Sequence, residues 1–123
     1  TGPYIQYAIA RINSILRKAG EIKPSKIVIT NPEERDLALK LMQLNNIVLR
    51  THEAKEPSII SDYAYTLAQA FSSFYNTSPI MSAATPEQAA SRLQIAKIVR
   101  DVLTLLLNLL GIEAPEVMLK KAE

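Results

Sequence analysis

The positions of proline and glycine constrain this chain more than any other feature. Seven prolines and three glycines stand at the ends of long stretches that contain neither residue. Because both residues interrupt helices, stretches free of them that carry apolar residues at helical spacing predict helices joined by short connections. The sequence therefore predicts an all-α bundle of about five helices in a single domain, residues 1–123.

Each of these stretches carries apolar residues three and four positions apart, the spacing of one helix face. The predicted helices cover residues 3–19, 32–44, 47–55, 58–76 and 86–110. Asn45 and Asn46 are expected to separate the second helix from the third. The β-branched run 27–30 suits either a short strand or an extended segment lying on the bundle, and since no partner strand is visible, the extended segment is favoured.

Several classes of catalytic site are excluded by composition. The chain has no cysteine, which rules out disulfides, thiol catalysis and cysteine-ligated zinc. Its one histidine, His52, has no second histidine or cysteine near it, so it is expected to be a solvated helix residue. The three glycines are isolated and cannot form a phosphate-binding loop. These residues are therefore expected to hold no cofactor and no metal and to catalyse nothing by themselves.

The overall charge and hydropathy indicate a soluble, cytoplasmic chain. Fourteen basic residues oppose twelve acidic ones, a net charge of +2 that is far from the excess of a histone-like protein. No apolar stretch approaches the ~20 residues that a membrane-spanning helix needs. We therefore expect neither DNA nor a membrane as a partner. The chain begins at Thr1 without a methionine, which favours a fragment of a longer protein.

Basic residues are concentrated at the start of the chain. Residues 1–26 hold five basic side chains and one acidic one, whereas residues 27–62 hold four basic and six acidic ones. A basic first helix could follow the phosphates of a nucleic acid, with Arg11, Arg17 and Lys18 as candidate contacts. An ordinary solvated helix face accounts for the same pattern.

Three tyrosines lie near predicted helix ends. Tyr4 and Tyr7 open the first helix, and Tyr75 closes the fourth. Rings in such places either pack in an interface or stack on unpaired bases, as recognition of single-stranded RNA requires. In the second case we expect the three rings to line one pocket where two helix ends meet the tail of the chain.

Three separate motifs carry a resemblance to a known family. Residues 1–12 resemble the junction between the catalytic and C-terminal domains of the arginyl-tRNA synthetases. Residues 63–76 are similar to the signature helix of the DALR-type anticodon-binding domain of that family. The family's last helix and tail are matched in order by Arg92-Leu93, Val102-Leu103, residues 109–116 and Met118.

The resemblance implies an all-α anticodon-binding domain of a class I aminoacyl-tRNA synthetase. Its implied partners are the anticodon stem-loop of tRNA-Arg and the catalytic domain of the same chain. The full-length enzyme would use ATP and arginine to charge tRNA-Arg, while the present residues contribute recognition of the tRNA. The family's catalytic domain, with its ATP and arginine sites, is absent from this sequence.

The resemblance also implies which residues touch the anticodon loop. Carried over by position, they are Tyr4, Tyr7, Tyr75, Asn76 and Met118. Ile9 stands where the family usually has histidine, and Val117 replaces an arginine that could contact a phosphate. Residues 119–123 follow the methionine that usually ends the chain, so the terminal carboxylate cannot lie where the family places it.

Two other functions remain open on the residues alone. One is a helical protein–protein interaction domain without RNA contact, which would need a contiguous exposed apolar patch. The other is the anticodon domain of a related synthetase, which keeps the fold and changes the cognate tRNA.

Overall fold

The computed structural model describes residues 2–112, 114 and 115, and within them the chain is entirely helical apart from its connections. The helices are α1 (Gly2–Ala19), α2 (Pro32–Leu41), α3 (Leu44–Ala54), α4 (Pro57–Thr77) and α5 (Pro86–Leu109). No strand occurs in these residues. The predicted all-α architecture is confirmed. None of the helices in this part of the chain is long and apolar enough to cross a membrane.

The helix ends follow from local chemistry. Asn31 caps α2 by accepting a hydrogen bond from the backbone N–H of Glu34, and Thr85 caps α5 by accepting one from Gln88. Both caps are followed by a proline in the first turn, where its missing N–H is not needed. Gly20, just past α1, has a φ of 79°, a left-handed conformation that glycine adopts without strain.

The junction between α2 and α3 differs from the prediction. The break falls at Met42 and Gln43, and Asn45 and Asn46 lie within α3. Both asparagines are exposed, so their weak helix propensity costs little. Placing the turn earlier leaves Met42 79% exposed and allows Ile47 to face the core. Burial of an isoleucine therefore decides where the chain bends.

The core lies between α1, α4 and α5, with α2 and α3 packed on the side of α4. Its largest fully buried side chains include Phe71 and Phe74 from α4 and Leu103, Leu106 and Leu107 from α5. Residues 102–110 at the end of α5 are apolar almost all round, a pattern that predicts burial on more than one side. Leu105 and Leu109 are 44% and 52% exposed, so burial there is limited to one face.

Residues 21–30 form the predicted extended segment, which is attached to α5 through its backbone. The Val28 N–H donates to the Ser91 hydroxyl at 2.8 Å, and that hydroxyl donates to the Val28 carbonyl at 3.3 Å. Ile27, Val28 and Ile29 remain 46%, 48% and 42% exposed. Toward its end the segment is therefore held more by hydrogen bonds to Ser91 than by burial of its β-branched side chains.

Candidate nucleic-acid interface

One face of α1 carries aromatic and basic side chains away from the core. Ile5, Ile9, Ile12 and Leu16 are buried, and the residues three and four apart on another side form a stripe that we call the α1 stripe: Tyr4, Tyr7, Arg11, Ser14 and Lys18. Tyr4 is 36% exposed and Tyr7 is 54% exposed. The rings are thus accessible along the first two turns, and the cations follow them.

Helix α4 lies beside the α1 stripe and runs in the same direction. The Tyr4 ring lies 5.1 Å from the Tyr65 ring, tilted by 54°, and the Arg11 guanidinium carbon lies 4.8 Å from the centre of the Tyr75 ring. Tyr4 precedes Arg11 on α1 and Tyr65 precedes Tyr75 on α4, so the two contacts occur in the same order along both helices. The side-by-side packing brings aromatic residues of α4 next to the aromatic and basic residues of α1.

Tyr75 contacts an aromatic neighbour and a cation. Its ring is nearly parallel to that of Phe71, with 6.1 Å between centroids and 11° between planes. Phe71 is buried in the core, whereas Tyr75 is only partly buried. The distance to Arg11 lies within the ~6 Å range of a cation–π interaction. The ring is therefore held in place before any ligand arrives.

A cavity of about 180 Å³ opens next to Tyr75. Its lining comes from α1, the end of α4 and the loop 78–85, and consists of Arg11, Ser14, Ile15, Lys18, Tyr75 and Met81. The volume is below the ~300 Å³ of drug-sized sites and suits a single ring system. A π-face, a polarisable thioether and two cations are the groups that would accept one base and its phosphate.

The electrostatics of this cavity favour an anion. No carboxylate lines it. Within the described part of the chain, neither Arg11 nor Lys18 forms an ion pair, since the pairs found there involve Lys40, Arg92 and Arg100. A phosphate would therefore not have to displace a carboxylate from either cation.

Among the described residues, the predicted site residues do not all line one cavity. Tyr4 lies against Tyr65, and Tyr65 precedes Tyr75 by ten residues, about 15 Å along the helix at 1.5 Å per residue. The structure thus forms two neighbouring groups, an aromatic one at Tyr4 and Tyr65 and a mixed one at the cavity. Parallel packing of α1 and α4 is the reason, because it keeps the start of one helix away from the end of the other.

The remaining predicted residues have separate positions. Asn76 is exposed in the last turn of α4, directly after Tyr75. Arg17 points away from the α1 stripe and lines a different cavity, of about 390 Å³, with Asn13, Leu16 and Arg100. Met118, carried over from the family, lies outside the described residues.

The segment after α5 is held against α1. The Asn13 side-chain N–H donates to the Pro115 carbonyl at 3.2 Å, and the Asn13 side-chain oxygen accepts from Arg100 Nη1 at 2.7 Å. Ile112 and Ala114 are partly buried against the core. The last described residues of the chain therefore lie along the same helix that presents Tyr4 and Tyr7.

Tyr65, Ser14 and Met81 were not selected from the sequence. The three-and-four spacing of the α1 stripe would have identified Ser14. Tyr65 and Met81 are recognisable only once α4 is known to pack along α1. In the described residues no cluster of three or more histidine, aspartate or glutamate side chains could hold a metal ion.

Comparison with known proteins gives a consistent result. The family model of the DALR anticodon binding domain matches residues 5–118. The arginine–tRNA ligase of Thermobifida fusca is 42% identical over 122 residues, which cover 96% of this chain and 21% of that protein. That of Hyphomonas neptunium is 47% identical over 120 residues, covering 96% of this chain and 20% of that protein. The chain spans about a fifth of the length of these relatives.

Solved structures agree with the sequence relatives. The arginyl-tRNA synthetase of Thermus thermophilus superimposes with a TM-score of 0.88 at 38% identity, covering 96% of this chain and 21% of that one. The arginyl-tRNA synthetase of Plasmodium falciparum superimposes with a TM-score of 0.86 at 27% identity, with the same two coverages.

Proposed function

Since the chain belongs to the family of DALR anticodon binding domains, we propose that it is the part of an arginyl-tRNA synthetase that binds the anticodon stem-loop of tRNA-Arg. In the whole enzyme this binding serves the ATP-dependent joining of arginine to tRNA-Arg in the cytoplasm. The sites for ATP and arginine belong to the catalytic domain, and the present residues bind neither. They contribute to selection of the tRNA at a distance from the chemistry.

The observation that carries this proposal is the cavity between Arg11, Lys18, Tyr75 and Met81. Base recognition in single-stranded RNA needs an aromatic or apolar face on which an unstacked base can lie. Affinity for the backbone needs cations that are free to replace counterions. The cavity offers both kinds of group within one small volume, and it is shaped before binding by the contacts of Tyr75 with Phe71 and Arg11.

The α1 stripe extends this site along the RNA. The Tyr4–Tyr65 group lies about two helical turns from the cavity, measured along α1 from Arg11 back to Tyr4. That spacing suits a second unstacked nucleotide of the same loop, resting on Tyr4 or Tyr7. Asn76, exposed beside Tyr75, supplies an amide for a base edge or ribose. Met118 is proposed as a further apolar contact on the strength of the family resemblance alone.

The proposal is tested by binding of the 123-residue chain to labelled anticodon stem-loops. We expect the tRNA-Arg stem-loop to bind more tightly than stem-loops of other tRNAs and to lose affinity steeply between about 50 and 200 mM salt. Equal binding of all stem-loops would refute the assignment to arginine. A flat salt response would refute the phosphate-contacting surface.

Charge removal at the cavity sharpens the test. The double variant Arg11→Gln, Lys18→Gln should reduce the slope of log affinity against log salt by about one to two units, because up to two phosphate contacts are lost. Arg50→Gln is the matched control, since Arg50 is exposed on α3 and lines a cavity with Asp62 and Tyr63 instead. The control should leave the slope unchanged.

A further inference from the structure

A pair of buried charges lies beneath the loop that borders the cavity. Glu34 is fully buried and Arg92 is 6% exposed, with 3.7 Å between Arg92 Nη2 and Glu34 Oε1. Glu34 also accepts hydrogen bonds from the backbone N–H and the hydroxyl of Thr30. The pair therefore connects α2, α5 and the end of the extended segment.

The same arginine holds the loop between α4 and α5. Arg92 Nη1 donates to the Pro79 carbonyl at 2.8 Å. The Ser78 hydroxyl accepts from the Asn31 amide at 2.7 Å, and Ile80 is 2% exposed. Three successive loop residues are thus held in place, Ser78 and Pro79 by hydrogen bonds and Ile80 by burial. Met81, the next residue, is 68% exposed and lines the cavity together with Tyr75 and Arg11.

Stability alone does not account for this arrangement. Removing two charges from water is costly, and a buried ion pair often contributes less than apolar residues of the same volume. The bonding is also incomplete, since Glu34 Oε2 and Arg92 Nε have no hydrogen-bond partner among the described residues. What the arginine provides that an apolar side chain cannot is a forked donor. One end donates to the Pro79 carbonyl and the other to the Thr30 hydroxyl, with the Glu34 carboxylate 3.7 Å from the second end.

We infer that Arg92 is a positioning residue for RNA binding: it never touches the RNA, and it holds the loop so that Met81 forms the wall of the cavity. This inference rests on the proposed function. Because Arg92 is almost completely buried, it adds no phosphate contact. Its effect on affinity passes through Met81, and without the Met81 side chain it has nothing to position.

A double-mutant cycle with Met81 tests the inference. Met81→Ala should weaken binding of the tRNA-Arg stem-loop about two- to tenfold, the range of a thioether contact with a ring. Arg92→Lys keeps the charge and loses the fork, so it should weaken binding by no more than Met81→Ala does, about two- to fivefold, within the range measured for coupled residues. In the Met81→Ala background the same lysine substitution should have no further effect, and the salt slope should match the wild type throughout. The inference is overturned if Arg92→Lys weakens binding equally with and without the Met81 side chain, or weakens it in neither protein. A reduced salt slope also overturns it.

Two controls keep the test decisive. Arg50→Lys makes the same chemical change on α3 and should leave affinity unchanged. If Arg92→Lys does not fold, Ser78→Ala replaces it in the cycle, because it removes the acceptor for Asn31 and loosens the same loop while the Asn31 cap on Glu34 remains. A loss of affinity in Ser78→Ala that disappears in the Met81→Ala background supports the inference. A loss of affinity that persists in that background overturns it.

A measurement without RNA separates this inference from the proposed function. The chain has three methionines, so the methyl resonance of Met81 can be assigned and compared with that of exposed Met42. We expect Arg92→Lys to shift the Met81 resonance and leave that of Met42 in place. An unchanged Met81 resonance overturns the inference even if the wild type binds tRNA-Arg. If the wild type binds no stem-loop, the proposed function is wrong. The same spectrum still shows whether Arg92 positions the loop.

Discussion

At the scale of single residues, Tyr75 shows how a partly exposed ring can be kept rigid. Phe71 lies parallel to it on the core side, and the Arg11 guanidinium lies over the ring. A free tyrosine would lose side-chain freedom on binding a base, whereas a ring already fixed loses little. The affinity of the cavity for a base should therefore depend on the ring and only weakly on its hydroxyl.

Replacing Tyr75 measures this dependence. Tyr75→Ala should lower affinity for the tRNA-Arg stem-loop by about 1–3 kcal/mol, roughly 5- to 150-fold, because one stacked base is lost. Tyr75→Phe should retain most of the binding, since the stacking face remains. Fluorescence anisotropy titrations, with circular dichroism to confirm folding, give both values. Normal binding by the alanine variant, or equal losses in the two variants, would contradict a stacking role.

Tyr63 is a second tyrosine whose surroundings make a prediction, this time for stability. Burial raises the pKa of Tyr63 from 10.0 to about 12, and its hydroxyl donates to the Lys40 carbonyl at 2.6 Å. The unfolded chain loses this proton near pH 10 and the folded chain only near pH 12. Between those values the folded state binds more protons, so the free energy of unfolding falls as the pH rises.

Comparison with Tyr63→Phe isolates this effect. The wild type should lose more stability than the variant in urea unfolding between about pH 9 and about pH 11, because phenylalanine has no proton to release. Other groups that titrate in this range act equally on both proteins. Parallel losses in the two proteins would show that Tyr63 titrates alike in the folded and unfolded states.

At the scale of helices, the ends that sequence alone predicts are those set by neighbouring residues. The caps at Asn31 and Thr85 and the left-handed Gly20 depend on side chains or backbone within a few positions. The turn at Met42 and Gln43 depends on how α3 packs its isoleucine, which no local pattern records. Tyr65 and Met81 were missed for the same reason, since only the packing of α4 along α1 places them at the site.

The Thr85 cap allows a quantitative test at this scale. Thr85→Ala should lower the free energy of unfolding by about 1 kcal/mol, because the N–H of Gln88 loses its acceptor. Thr66→Ala is a suitable control, since the exposed Thr66 hydroxyl donates only to the Asp62 carbonyl within the same helix. The control should change stability by less than ~0.5 kcal/mol. Urea unfolding measures both, and equal effects would show that the cap contributes nothing specific.

At the scale of the whole molecule, charge and aromatic content are distributed unevenly between faces. The face formed by α1 and the end of α4 holds the accessible rings of Tyr4 and Tyr7 close to Arg11 and Lys18, which form no ion pair among the described residues. The side formed by α2 and α3 exposes a few apolar residues, including Leu39, Met42 and Leu49. Some exposed apolar residues are ordinary on protein surfaces. The face of α1 therefore agrees better with RNA binding than the face of α2 and α3 does with a protein partner.

The most direct test of the account locates the RNA on the molecule. Titration of a tRNA-Arg anticodon stem-loop into the isotope-labelled chain, followed by backbone and methyl NMR, reports which residues change environment. We expect the largest shifts to cluster on the α1 stripe, Tyr65, Tyr75 and Met81, with α3 unchanged. Shifts centred on α2 and α3, with the cavity beside Tyr75 unaffected, would contradict it.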